Sequence, residues 1–94
     1  MRQNTDTSSA DIDMRRRRAH FRSWHRGMRE VDLILGRFAD ASMAALSAGE
    51  LDEYEALLEI PDGELLKWLT GEQPAPANID TPLFRAIRSL ATQA

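Results

Sequence analysis

Arg26, Gly27, Met28, Arg29 and Glu30 set a glycine between two arginines and close the stretch with a carboxylate. The chemistry on offer is recognition. Glycine has no Cβ, so a foreign surface can reach the backbone there, and it accepts dihedrals that other residues resist. Each arginine presents a planar fork of donors suited to carboxylate, carbonyl or phosphate oxygens, and Glu30 can answer a cation. A plain helix-helix corner uses glycine in the same way, so local sequence leaves contact surface and simple turn both open.

Two other groupings have chemistry-bearing side chains. His20, His25 and Glu30 combine the two histidines of the chain with a carboxylate, the material of an acid-base or metal site. Their spacing argues against one, because helical ligands share a face three or four residues apart and Gly27 interrupts the helix before Glu30. A structural or surface role is expected for both histidines, with no catalytic residue and no metal site. Arg15-Arg16-Arg17-Arg18 could neutralise phosphates. No recognition-helix or base-stacking pattern accompanies the run, and a solvated helix face has the same composition. A small Arg-rich nucleic-acid-binding regulator is therefore the alternative reading.

The elements that must position these residues are helical. Eleven Leu and thirteen Ala against one Val and five Ile favour helix over strand, and no segment sustains a period of two. The expected fold is all-α, a small five-helix bundle: a polar, disordered tail over residues 1–13 and a single helical domain over 14–94. The first helix is predicted from near Asp11 to His25, with Met14, Phe21 and Trp24 as its apolar marks. Met28, Val31, Ile34, Leu35 and Phe38 form a helical stripe that predicts a second helix over 28–41, with Glu30 and Asp32 in its first turn, where the helix dipole favours acids. Residues 42–49 read as a small-residue connection. Ser47 and Glu50 have capping-box spacing and open a third helix that buries Leu51, Tyr54, Leu57 and Leu58. Asp62 is predicted to cap a short fourth helix ended by Gly71, with Trp68 in the core and Trp24 shared between core and surface. Residues 73–80 read as an extended strap, and Thr81-Pro82 starts a last helix with Leu83, Phe84, Ile87 and Leu90 inward.

Composition narrows the function classes. Ninety-four residues leave little room for a deep pocket with its supporting shell, and the absence of cysteine removes disulfides, thiolate nucleophiles and Cys-based zinc sites. The net charge of −3 conceals a segregation: residues 1–29 carry eight arginines and three aspartates, and residues 30–94 four basic and twelve acidic side chains. Such polarity suggests an electrostatically oriented contact with a partner. No apolar run approaches the roughly 20 residues that span a bilayer. Asp6, Asp11 and Asp13 interrupt the arginine- and serine-containing N-terminus, unlike a presequence, so a bacterial cytoplasmic protein is expected ahead of a mitochondrial matrix one.

From Ala19 to Leu90 the order His-Arg-Gly-Met-Arg-Glu-Val-Asp, an apolar helix, Tyr54-x-x-Leu57-Leu58, Pro61-Asp62, Leu65-Leu66-x-Trp68-Leu69 and a Pro-Ala strap resembles the succinate dehydrogenase FAD assembly factors. These small bacterial and mitochondrial proteins are marked by an Arg-Gly-x-x-Glu motif, which Arg26, Gly27 and Glu30 satisfy. The resemblance implies a five-helix, non-enzymatic factor that binds the flavoprotein subunit of succinate dehydrogenase, or of fumarate reductase, and promotes covalent FAD attachment before the complex assembles. It implies a contact surface at Arg26, Gly27 and Glu30 with Met28, Arg29 and Asp32 as neighbours. FAD then belongs to the partner, with no cofactor held stably by this chain, no nucleic acid, no membrane insertion and a monomeric state. The chain departs from many members at His25, where they carry Arg.

Overall fold

Helical periodicity prevails along the chain. The computed structural model describes residues 9–92 and consists of α1 (Ser9–Ser23), α2 (Arg29–Ser42), a 3₁₀ turn (Met43–Ala45), α3 (Ala48–Leu58), α4 (Asp62–Leu69) and α5 (Pro82–Thr92), with no strand among the described residues. The expected all-α, five-helix architecture is observed. Of the tail expected over residues 1–13, residues 1–8 lie outside the described residues, and residues 9–13 belong to the start of α1, ahead of the predicted start near Asp11.

Local signals set most helix ends. Ser47 Oγ accepts from the Glu50 amide at 3.1 Å while the Glu50 carboxylate accepts from the Ser47 amide at 2.9 Å, the reciprocal box that starts α3. Thr81 Oγ1 accepts from the Phe84 amide at 3.2 Å at the head of α5. Gly71 takes φ +82° just past α4, the left-handed conformation that ends a helix cheaply. One predicted cap is absent. Pro61 occupies the N-cap of α4 and Asp62 lies inside the helix, because the Asp62 carboxylate is drawn away by Arg26.

α2 lies at the centre, touching α1, α4 and α5. It buries Val31, Leu35, Phe38 and Ala39 against Leu51, Tyr54, Leu57 and Leu58 of α3, Leu65 and Leu69 of α4, and Leu83, Phe84 and Ile87 of α5. The small-residue connection adds Met43 and Leu46 to this core. Trp68, expected inside, is half-buried and packs at the edge. Gly36 sits in α2 because the Trp24 ring occupies the space beside it: a Cβ there would fall 2.3 Å from ring carbons Cδ2 and Cε2. Trp24 Nε1 donates to Asp40 Oδ1 at 3.1 Å, which fixes the ring.

α1 docks differently from its prediction. Met14 and Phe21 are 53% and 63% exposed, and the residues buried on this helix are Ala19 and Ser23. Small side chains let α1 lie close over Tyr54, whose hydroxyl is 2.6 Å from Ser23 Oγ and 3.2 Å from the Leu35 carbonyl. Ser23 Oγ donates in turn to the Ala19 carbonyl at 2.7 Å. Burial pushes the Tyr54 phenol up to about 12. Ile12, half-buried against the core, and charge supply the rest of the attachment. Arg15 pairs with Asp52 at 2.5 Å and Glu55 at 2.7 Å, Arg22 pairs with Glu59 at 2.8 Å, and Arg16 donates to the Leu46 carbonyl at 2.7 Å. The hydrogen bonds that Arg15 donates to Glu55 and then to Asp52 hold its guanidinium above its usual range. The segregated charges, read from sequence as a feature for a partner, are thus spent in good part between α1 and α3.

Arg26 completes this series and differs from it in burial. Its side chain is 8% exposed. Nε donates to Asp62 Oδ1 at 2.6 Å, Nη1 to the Leu58 carbonyl and Nη2 to the Ile60 carbonyl. Helix C-termini leave their last carbonyls without intrahelical donors, and the guanidinium satisfies them where the α3 dipole is negative. One side chain thereby ties the α1–α2 corner to the α3–α4 corner.

Three outcomes follow from these contacts. Arg26→Ala leaves the Asp62 carboxylate and the Ile60 carbonyl without their cation and the Leu58 carbonyl with only the 3.4 Å bond from Arg22, a loss of about 3 kcal/mol for a buried pair, and is expected to lower Tm in thermal circular dichroism by roughly 10–20 °C; a fall of only a few degrees would remove the clamp from the stability account. Gly36→Ala, which in an open helix gains up to ~1 kcal/mol, is expected to lower Tm because the Trp24 ring must move, whereas Gly49→Ala, with open space around its Cβ, is expected to leave it unchanged or raised. Tyr54 is neutral when folded beyond the point, near 10, at which an unfolded phenol ionises, so the unfolded chain holds fewer protons and stability falls as pH rises from about 10 toward 12. Tyrosinate absorbance should then appear together with loss of helix; tyrosinate forming at full helicity would contradict the buried hydroxyl pair.

Candidate functional site

The corner between α1 and α2 is built from backbone geometry and braced from beneath. α1 unwinds through 3.2 Å bonds from the Trp24 amide to the Phe21 carbonyl and from the His25 amide to the Arg22 carbonyl. Gly27 follows at φ +103°, a region L-residues rarely enter. α2 starts without a side-chain cap from Met28. Asp32, one turn in, turns back and accepts from the Arg26 amide at 2.8 Å. Arg26 is therefore held at its amide by Asp32 and at its guanidinium by Asp62, which fixes the conformation from which Gly27 projects.

The six residues singled out from sequence divide by where their side chains go. Arg26 is turned inward, Asp32 is half-buried on the Arg26 amide, and Met28 is half-buried against the core. Gly27, Arg29 and Glu30 are exposed. Space around Gly27 is open, with nothing within 4 Å of an added Cβ. Neither the Arg29 nor the Glu30 side chain has a hydrogen bond or ion pair with another described residue, so both charges remain available to a second molecule. The surface the corner can offer is thus a bare backbone followed by one free cation and one free anion.

Phe21 and His25, at the end of α1, extend this exposed surface; from sequence Phe21 reads as an apolar mark of the helix and His25 as a structural or surface residue beside the motif. Their rings stack at 3.9 Å between centroids and 13° between planes. His25 Nδ1 is 2.6 Å from the Phe21 carbonyl; a carbonyl only accepts, so Nδ1 carries the proton and Nε2 is left as the second ring nitrogen. The four-residue spacing was visible, but an aromatic on a helix was assigned inward by default. Asp62 was missed as the brace of the corner, since nothing local connects it to Arg26 across 36 positions.

The histidines do not converge with Glu30. His20 Nε2 lies 2.5 Å from Asp40 Oδ1 on the α1–α2 face, and the hydrogen bonds from His20 and then Trp24 hold the Asp40 carboxyl below its usual range. Among the described residues no group of three His, Cys, Asp or Glu side chains could hold a metal ion. Of the arginine run, Arg15 and Arg16 are engaged within the chain while Arg17 and Arg18 are exposed. No described helix is long and apolar enough to cross a membrane.

Comparison with known proteins places this corner in a family. Residues 17–91 match the family described as "Flavinator of succinate dehydrogenase". The "FAD assembly factor SdhE" of Acetobacter pasteurianus is 45% identical over 75 residues, which cover 80% of this chain and 69% of that protein. "Succinate dehydrogenase assembly factor 2, mitochondrial" of Debaryomyces hansenii is 44% identical over 59 residues, 63% of this chain and 42% of the relative. The protein of the same name from Dictyostelium discoideum is 29% identical over 79 residues, 84% of this chain and 56% of its own length. The chain thus spans about half the length of these mitochondrial relatives. No solved structure gives a significant match. The matched segment contains the whole Arg26-to-Asp32 corner and every described helix except residues 9–16 of α1 and the last residue of α5, and the chain belongs to the succinate dehydrogenase flavinator family.

Proposed function

We propose that this chain is a non-enzymatic assembly factor that binds the flavoprotein subunit of succinate dehydrogenase through the Gly27 corner and promotes covalent attachment of FAD before the complex assembles. The observation that carries the reading is the division of the Arg-Gly-x-x-Glu residues: Arg26 is committed to Asp62 and the end of α3, while Gly27 and Glu30 stand exposed beside Arg29. The first makes the corner rigid, and the others can meet a partner. Gly27 admits the partner to the backbone, Arg29 meets its carboxylates or carbonyls, and Glu30 meets a cation.

Such a factor needs no reacting groups of its own. A flavin linkage that forms within the flavoprotein requires the isoalloxazine ring and its acceptor side chain to be held in attack geometry, and a helper that binds the competent arrangement raises its population. FAD is assigned to the partner, fumarate reductase flavoprotein is a second candidate client, and the chain acts as a monomer in the bacterial cytoplasm. The nucleic-acid alternative loses support from the engagement of Arg15 and Arg16 with α3 and the segment before it.

The test compares two substitutions at one backbone position. Gly27→Ala and Gly27→Arg share the strain of φ +103°, about 1 kcal/mol or more, and their Cβ atoms meet nothing within the chain. Both are expected to melt slightly below the parent and at similar temperatures. On co-expression with the flavoprotein subunit, Gly27→Arg is expected to abolish copurification and in-gel flavin fluorescence, and Gly27→Ala to reduce them only in part. Equal covalent flavin with and without the parent chain would overturn the assembly-factor reading.

A further inference from the structure

The edge of the core between α2, α4 and α5 is left uncovered. Leu33 and Ile34 of α2, Leu66 of α4 and Leu90 of α5 are each only half-buried and line a groove of about 290 Å³, far above the ~10–15 Å³ that a single water needs. Its rim carries two charges, Glu30 and Arg37. They lie seven positions apart on α2, so they share a face about 10 Å apart along the axis, and neither side chain has a hydrogen bond or ion pair with another described residue. Thr70, also at the rim, spends its hydroxyl on the Leu66 carbonyl at 2.9 Å. The groove therefore presents aliphatic walls between one free anion and one free cation.

We infer that this groove is a second contact for the flavoprotein partner, receiving a segment that carries an apolar side chain between a basic residue facing Glu30 and an acidic residue facing Arg37. The inference rests on the assembly-factor reading above. Two observations select this occupant. Glu30 belongs both to the exposed corner and to the groove rim, so one partner surface that reaches Gly27 continues into the groove without a break. The paired rim charges set a polarity along the groove, which fixes the direction in which the segment lies. An apolar centre with an oppositely charged rim is the arrangement that gives both affinity and register at an interface.

Arg37→Glu and Leu33→Gln probe the groove without touching the corner, and Arg37 is exposed, so its substitution leaves the fold intact. In co-expression and titration with the flavoprotein subunit each is expected to weaken binding about tenfold at unchanged Tm, the loss typical of a contact that carries binding energy, with partial recovery for Arg37→Lys. Parent-like binding by Arg37→Glu overturns the inference while leaving the corner reading in place. Failure of the parent chain itself to bind overturns the reading on which it rests. A parent that sediments as a dimer in isolation, and an Arg37→Glu variant that does not, assigns the groove to a second copy and overturns the inference as well. Should Leu33→Gln melt early, Arg37→Glu alone decides.

Discussion

The orphaned carbonyls at the end of α3 are the constraint on which the rest of the structure depends. A helix that ends inside a small protein must find donors for its last carbonyl groups, and here Leu58 finds them on Arg26 and, at 3.4 Å, on Arg22, while Arg26 also serves the Ile60 carbonyl in the turn beyond, all far away in sequence. Satisfying them draws the α1–α2 corner onto the α3–α4 corner. It also takes Asp62 out of its capping role and commits Asp32 to the Arg26 amide. The exposed geometry at Gly27 is a product of these internal bonds. A corner held at both faces of one arginine keeps its shape while offering its backbone to another molecule.

Much of the architecture was legible from periodicity and caps. The stripe of Val31, Leu35 and Phe38, the Ser47–Glu50 box and the Thr81-Pro82 start all encode their elements within a few residues. Information that is not local was harder to read. α1 carries Met14 and Phe21 at positions that suggest an inward face, yet it docks by Ala19, Ser23 and ion pairs to α3, because small residues over Tyr54 give a closer fit than bulky ones. Met43 and Leu46 lie in a stretch with no helical period and still enter the core. The site was legible as a motif and illegible as a division of labour: nothing near Arg26 announces that its guanidinium is spent on Asp62, while Arg29, three residues on, stays free.

That division also explains how so small a chain can act on a much larger protein. It needs no deep pocket if its task is to favour one arrangement of a partner. What it requires is a surface that does not rearrange on contact, since ordering a loose loop would consume part of the binding energy. The bracing of the corner by Arg26 and Asp32, and the packing of Met28 on the core, remove that cost in advance.

The attachment of α1 has a consequence for solution conditions. A helix that buries little beyond Ala19 and Ser23 and leans on carboxylates of α3 is held by forces that mobile ions attenuate. Local opening draws on segments that bury few apolar contacts, and α1 is attached in that way before the chain reaches the corner. Raising ionic strength therefore weakens the seat of α1 before it touches the apolar interior, while the corner keeps its own brace in the buried Arg26–Asp62 pair, so salt content becomes a dial on one helix, separate from the stability of the fold that bears it.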